Sequence, residues 1–252
     1  ISLLAILGIT DPLTFPAPRI LHLTTGNEIV PYNTEPSLGQ IRNSNAPLLK
    51  ALLSSSPHTL IKHLHLPDSP HILQQTLDAI PHNSWDFLLI SGGASVGDFD
   101  FNLQSLKDLG FTIHFNQIDL RPGKPLIFAS KNNQFAFVIP GNPISHFVTF
   151  HLLIQHALNC FQNRNIPLSL LQCPLLSALP LESNPRETWS PATLTLTPNK
   201  TLGLSPIPWL SSGNLHALTR ANALIRIPQN SPIPTSNESV ECLPINLTTL
   251  TQ

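Results

Sequence analysis

Arg121 and Lys124 flank the dipeptide Pro122-Gly123, a stiff turn that holds two cations at a fixed separation, as a phosphate or other oxyanion site requires. The competing reading of such a pair is a solvated surface turn. Upstream, the run from Ser91 to Gly97 sets Gly92, Gly93 and Gly97 beside the hydroxyls of Ser91 and Ser95. A backbone without Cβ atoms can approach a phosphate or a planar heterocycle closely, although a glycine-rich turn can equally be a mere tight connection. Pro140, Gly141, Asn142 and Pro143 form a second rigid turn with free N–H groups ahead of a helix, suited to another anion contact. Two such loops together favour a binding site over two connections. Glu28, Asp68, Asp98, Asp100 and Asp119 could supply oxygen ligands to a Mg2+ ion bridging substrate phosphates, though a single carboxylate is more often a cap or a surface charge.

Other chemistries are poorly served. The 11 histidines include the pair His63-x-His65 on one strand face, but no third ligand has zinc spacing. Ser91 and Ser95 lack the G-x-S-x-G elbow of a nucleophilic serine. The 3 cysteines, Cys160, Cys173 and Cys242, form no CxxC pair and no disulfide framework, which fits a reducing cytoplasm. A net charge of −1 with no basic run speaks against nucleic acid as partner. The apolar opening, Ile1 to Ile9, is too short to span a membrane and lacks the flanks of a signal peptide. A small molecule is therefore the expected partner. With 0 methionines, the chain is expected to continue upstream of residue 1.

The elements that must position these loops read as an α/β fold with a mostly parallel sheet and flanking helices, followed by a small β domain. Ile20–Thr24 reads as the first buried strand, and Asn43-Ser44-Asn45 as the cap of a helix carrying Leu48, Leu49, Leu52 and Leu53. Leu60–Leu66 and a helix from Ser69-Pro70 form a second unit. Phe87–Ile90 is continuously apolar, as expected of a central strand buried on both faces. Phe111–Phe115, Leu126–Ala129 and Phe135–Ile139 read as further strands, the last two joined as a hairpin at Lys131-Asn132-Asn133. Pro143 opens a long apolar helix to about Phe161. Beyond Gln162 prolines recur and helical periodicity disappears, leaving short runs such as Thr193–Thr197 and Ala223–Ile227. Three regions are expected: a linker over 1–18, an α/β domain over 19–163 and a β domain over 164–252.

Taken in order, Thr25 to Glu28, Gly39 to Asn45, Gly92 to Asp100, Arg121 to Pro125 and Pro140 to Ser145 resemble the motifs of the MoeA and gephyrin E-domain family. Gly213 to Ala223 is similar to that family's C-terminal β domain. The resemblance implies a MogA-like molybdopterin-binding domain and a cytoplasmic, homodimeric transferase of molybdenum cofactor biosynthesis. Its substrates would be adenylylated molybdopterin and molybdate, with Mg2+ assisting and AMP released. It places Glu28, Asp68 and Asp100 at metal and substrate positions, Arg121 and Lys124 at molybdate or phosphate, and Ser212 near the site. Gly92, Gly93, Ser95, Gly97, Pro140, Gly141 and Asn142 would line the pterin pocket. Two departures stand out: Gln117 and Pro191 occupy positions where the family carries basic residues, which should weaken oxyanion binding. The family's two N-terminal domains are also missing from these residues. A catalytically impaired molybdopterin-binding module is therefore the alternative. A MogA-type adenylyltransferase is disfavoured by the Gly97-Asp98-Phe99-Asp100 ending and the appended β domain.

Overall fold

The computed structural model describes residues 1–54, 59–92, 98–209 and 213–245, with backbone only at 98–100. Its first part contains strands β1 (Arg19–Thr25), β2 (Ile29–Val30), β3 (Ile41–Arg42), β4 (Thr59–Leu66), β5 (Phe87–Ser91), β6 (Thr112–Phe115), β7 (Leu120–Arg121), β8 (Ile127–Lys131) and β9 (Gln134–Ile139). Six of them form a sheet in the order β4-β1-β5-β9-β8-β6. The first four run parallel, while β8 and β6 complete the sheet with antiparallel pairings. The mostly parallel sheet read from the sequence is what forms.

Side-chain alternation explains why both faces are buried. Leu88 and Ile90 of β5 join Leu21, Leu23, Ala136 and Val138 in one apolar cluster, whereas Phe87 and Leu89 join Ile20, Phe137 and Ile139 in another. After α1 (Ser2–Ile6), which buries no residue, come α2 (Asn45–Ser54), α3 (Pro70–Asp78) and α4 (Asp98–Asp108). Helices α3 and α4 cover the first face with Leu73, Leu77 and Leu106, and α2 covers the second with Leu49 and Leu53. Ser69 caps α3 by accepting the Ile72 N–H at 3.4 Å, with Pro70 opening the first turn. Asn43 does the same for α2, accepting from Ala46 at 3.0 Å.

The helix expected from Pro143 to Phe161 forms, but as α5 (Pro143–Thr149), a π turn over Phe150–Ile154 and α6 (Gln155–Phe161). The Thr149 hydroxyl donates to the Ser145 carbonyl at 2.8 Å, drawing on the ladder just where the wider turn begins. Between β8 and β9 the register pairs Lys131 with Gln134, and Asn132 takes a φ of 53°, as a two-residue hairpin turn needs.

The remaining strands, β10 (Leu171–Pro174), β11 (Glu187–Leu196), β12 (Leu202–Pro206), β13 (Ala223–Ile227) and β14 (Ser239–Pro244), form an antiparallel sheet ordered β10-β14-β13-β11-β12. A short helix, α7 (Leu215–Leu218), precedes β13. Arg226 ties three strands together through Glu187 and Glu241, both at 2.8 Å. The two sheets share an apolar cluster in which Ile144, Phe147 and Val148 of α5 meet Trp189, Ile207, Leu224 and Leu243. Strand β7 runs parallel to the start of β11, pairing Leu120 with Glu187 and Arg121 with Thr188. The turn carrying Arg121 and Lys124 is thereby anchored to the second sheet.

All three cysteines are free thiols. Among the described residues, no helix is long and apolar enough to cross a membrane.

Candidate functional site

Strands β1, β5 and β9 end level with one another, Thr24 beside Ser91 and Ser91 beside Ile139. Loops leaving the carboxyl ends of parallel strands meet there, which is where open α/β sheets bind ligands. A cavity of about 900 Å3 opens at this edge. Thr24, Thr25 and Glu28 line it from β1 and its loop, Arg42 to Asn45 from the approach to α2, Ser91 and Gly92 from β5, and Pro140 to Pro143 from the approach to α5. Arg121 to Pro125 form a further wall, and Arg186, Trp209, Gly213 and Leu215 face it from the second sheet's side.

Gly92 is required by shape. Its φ is +106°, and a Cβ there would lie 2.3 Å from the Thr25 carbonyl oxygen. Gly92→Ala is therefore expected to lose more than about 2 kcal/mol of stability, from the left-handed backbone and the clash together. Denaturant unfolding measures this, and an unchanged midpoint would show that the strand ends are not so tightly apposed. Gly141 continues the surface, since a Cβ on it would touch the Gly92 Cα at 3.5 Å. Asn45 then pins this turn to α2, its Nδ2 donating to the Gly141 carbonyl at 2.7 Å.

Below the cavity a polar network runs from the exposed His63 inward to buried side chains. Asn43 Nδ2 donates to Thr24 Oγ1 at 2.9 Å, and that hydroxyl also meets His63 Nε2 at 2.6 Å. Deeper, the Ser91 hydroxyl lies 2.7 Å from both His22 Nε2 and His146 Nε2. One hydroxyl proton cannot satisfy two acceptors, so at least one of the two imidazoles donates to Ser91. Burial lowers the His146 pKa to about 4. It also drives His22 well below the usual histidine value, helped by the proximity of His146 and His63. Both rings are therefore neutral at neutral pH, and this network is a scaffold for the loop ends above it.

The cations line the cavity from the Arg121–Pro125 turn and from Arg186. Gly123, at φ +119°, sits so close to α5 that a Cβ would come within 2.7 Å of Thr149 Cγ2. The Arg121–Pro122 peptide is cis. The Arg121 guanidinium lies 5.9 Å above the Trp209 ring, and Trp209 Nε1 donates to Ser190 Oγ at 3.1 Å. Arg186 donates to the Leu120 carbonyl at 3.3 Å, which brings a third cation beside Arg121 and Lys124. Among the described lining residues, Arg121, Lys124 and Arg186 outnumber the one carboxylate, Glu28, while Arg42 is paired with Glu35 at 2.6 Å, so the cavity favours an anionic ligand.

The structure thus brings together Glu28, Gly92, Arg121, Lys124, Pro140, Gly141 and Asn142. Asp68 is not in the lining. Its carboxylate accepts the Asn27 N–H at 3.1 Å and its own N–H donates to Asn27 Oδ1 at 3.2 Å, so it steadies the loop that carries Glu28. Gly93, Ser95, Gly97 and Ser212 lie outside the described residues, as does the side chain of Asp100. Among the described residues, no group of three or more His, Cys, Asp or Glu side chains comes together as a metal site. Gln117 is exposed and away from the lining. Pro191 is buried in β11, where its carbonyl accepts from Ile207 at 3.0 Å and its pairing with Leu224 requires no donor from it.

Sequence reasoning missed Arg186 and Trp209. No local motif marks them. The parallel pairing of β7 with β11 sets Arg186 beside Leu120, and nothing short of the fold reveals that pairing.

Residues 22–159 match the family described as "Probable molybdopterin binding domain", and residues 175–245 match "MoeA C-terminal region (domain IV)". The chain is 35% identical over 189 residues to "Molybdenum cofactor synthesis protein cinnamon" of Drosophila melanogaster, covering 73% of this chain and 31% of that protein. It is 28% identical over 235 residues to a Staphylococcus epidermidis "Molybdopterin molybdenumtransferase", covering 90% of this chain and 54% of the relative. A crystal structure of a molybdopterin biosynthesis MoeA protein from Pyrococcus horikoshii superposes with a TM-score of 0.78 at 24% identity, over 97% of this chain and 59% of that one. The chain thus spans about half the length, or less, of these relatives.

Proposed function

This chain belongs to the MoeA family, and from that premise we propose that its cavity binds molybdopterin in adenylylated form together with molybdate. The reaction cleaves the phosphoanhydride, releases AMP and leaves molybdenum on the dithiolene, as a step of molybdenum cofactor biosynthesis. The observation that carries this reading is a single cavity lined both by the cations Arg121, Lys124 and Arg186 and by Gly92 and Gly141 at the strand ends. Gly92 and Gly141 let the ligand approach bare backbone. The cations hold molybdate and offset the charge that develops on phosphate oxygens as the anhydride breaks, the kind of preorganised electrostatics that contributes most to catalysis. A cytoplasmic homodimer belongs to the same proposal.

Mg2+ sits less easily in the described part of the site. Glu28 is the one carboxylate among the described lining residues, and Asp68 is engaged with Asn27. Among the described residues these carboxylates assemble no divalent-metal site.

A second reading is a molybdopterin-holding module that does not turn over. Gln117 and Pro191, standing where basic residues are expected, favour it. Titrating the protein with molybdopterin and with its adenylylated form, plus Mg2+ and molybdate, separates the two when binding and AMP release are both followed. The expected result is binding with molybdate-dependent AMP release. Binding without release supports the module, and no binding removes both readings.

A further inference from the structure

We propose that Trp209 is the positioning residue of the anion site: its indole face holds the Arg121 guanidinium at the cavity and leaves the arginine's charge and in-plane N–H donors free for an oxyanion. This rests on the oxyanion reading above and names what orients its arginine. The Arg121 guanidinium carbon lies over the Trp209 ring, 5.9 Å from its centre, and both residues line the cavity. Among the described residues, the Arg121 side chain has no ion-pair or hydrogen-bond partner.

Other arginines of the chain are held differently. Arg19 pairs with Asp86, Arg42 with Glu35, and Arg226 with both Glu187 and Glu241. A carboxylate orients a guanidinium by taking its N–H groups and offsetting its charge, the two properties an anionic ligand needs. An aromatic face takes neither, because it attracts the cation through the ring quadrupole and contacts only the flat side. Arg121 is thus held yet still available.

The ring is itself fixed. Trp209 Nε1 donates to Ser190 Oγ at 3.1 Å, and Ser190 is 1% exposed within β11. The ring also packs against the apolar cluster shared by the two sheets, next to Ile207, whose N–H donates to the Pro191 carbonyl at 3.0 Å. The backbone of Arg121 is set from the same strand, since it pairs with Thr188. Thr188 and Ser190 stand two apart on β11, so one strand places both the arginine and the ring that orients it. Without the ring, a long side chain fixed only at its backbone would spread over many rotamers, and each oxyanion bound would have to order it again.

The test is a double-mutant cycle on the dissociation constant of inorganic molybdate, with the thermal midpoint of every protein measured alongside. Trp209→Leu, which keeps apolar packing and removes the ring, is expected to weaken molybdate about tenfold when Arg121 is present. Trp209→Phe should weaken it about threefold, its ring being a poorer partner for a cation. In an Arg121→Gln background neither substitution should change molybdate affinity further. Equal losses in both backgrounds mean that Trp209 serves only as packing and overturn the assignment, as does unchanged affinity in Trp209→Leu. If Trp209→Leu is unfolded at the assay temperature, the cycle with Trp209→Phe decides in the same way. If Arg121→Gln leaves no binding to measure, the NMR resonance of Arg121 Nε–H decides: an upfield ring-current shift that is lost in Trp209→Phe or Trp209→Leu supports the assignment, and its absence from the wild type overturns it. Failure of the wild type to bind molybdate overturns both this inference and the oxyanion reading beneath it.

Discussion

Lys124→Ala should lower molybdate-dependent AMP release by about a hundredfold or more, the scale on which single electrostatic donors act on developing charge, while molybdopterin affinity changes little. The asymmetry follows from the cavity's division. Lys124 lines the cavity from the Arg121–Pro125 turn, beside Arg121, whereas Gly92 and Gly141 line it from the ends of the parallel strands. Lys124 is exposed at its turn, so truncating it leaves no cavity and no buried charge behind. The fold should be untouched, and a loss of activity would report on the site itself. Its ammonium is a point charge, unlike the planar forks of Arg121 and Arg186, and suits a compact tetrahedral oxyanion. Steady-state AMP release at varied molybdate, paired with molybdopterin titration, measures both quantities. Where AMP is not released, the molybdate dissociation constant carries the same comparison. Equal loss of molybdate and molybdopterin binding would mean that the turn grips the whole ligand, and the division of the cavity would be wrong.

The sheet was legible because burial writes itself into sequence locally. Phe87–Ile90 is apolar without interruption since β5 is covered on both faces, and Asn43 and Ser69 announce the starts of α2 and α3 through their own side-chain bonds. The cation turn was legible for a similar reason, with Pro122 and Gly123 holding Arg121 and Lys124 apart. What escaped was set by contacts distant in the chain. Leu120 and Arg186 are 66 residues apart, and their proximity comes from a two-residue strand whose pairing has no signature of its own. The strands β2 and β3 are equally short. Asp68 shows a different limit: residue type marks it as a possible metal ligand, but only geometry reveals that its carboxylate accepts a backbone N–H.

Three buried histidines should make the protein acid-labile in a defined window. His146 and His151 are buried with pKa values lowered to about 4, and His22 is also driven well down by burial. In the unfolded chain each would titrate near 6.5. Between those limits the unfolded state binds protons that the folded state refuses, so stability is fully present above pH 6.5 and is lost as pH falls toward 4. Each such histidine contributes a slope of about 1.4 kcal/mol per pH unit within the window. Protonating either ring of the His22, Ser91 and His146 network would also force its Nε2 to donate, and with both rings charged the Ser91 proton would face no acceptor among them. Unfolding free energies measured by denaturant titration from pH 7.5 to 4.5 should therefore fall steeply below pH 6.5. His146→Gln, although less stable at neutral pH, should show a slope shallower by about that amount. Background titration of exposed carboxylates and histidines is common to both proteins and cancels in the difference. Parallel slopes would mean that His146 accepts its proton in the folded state, and the neutral network that holds the strand ends in place would have to be abandoned.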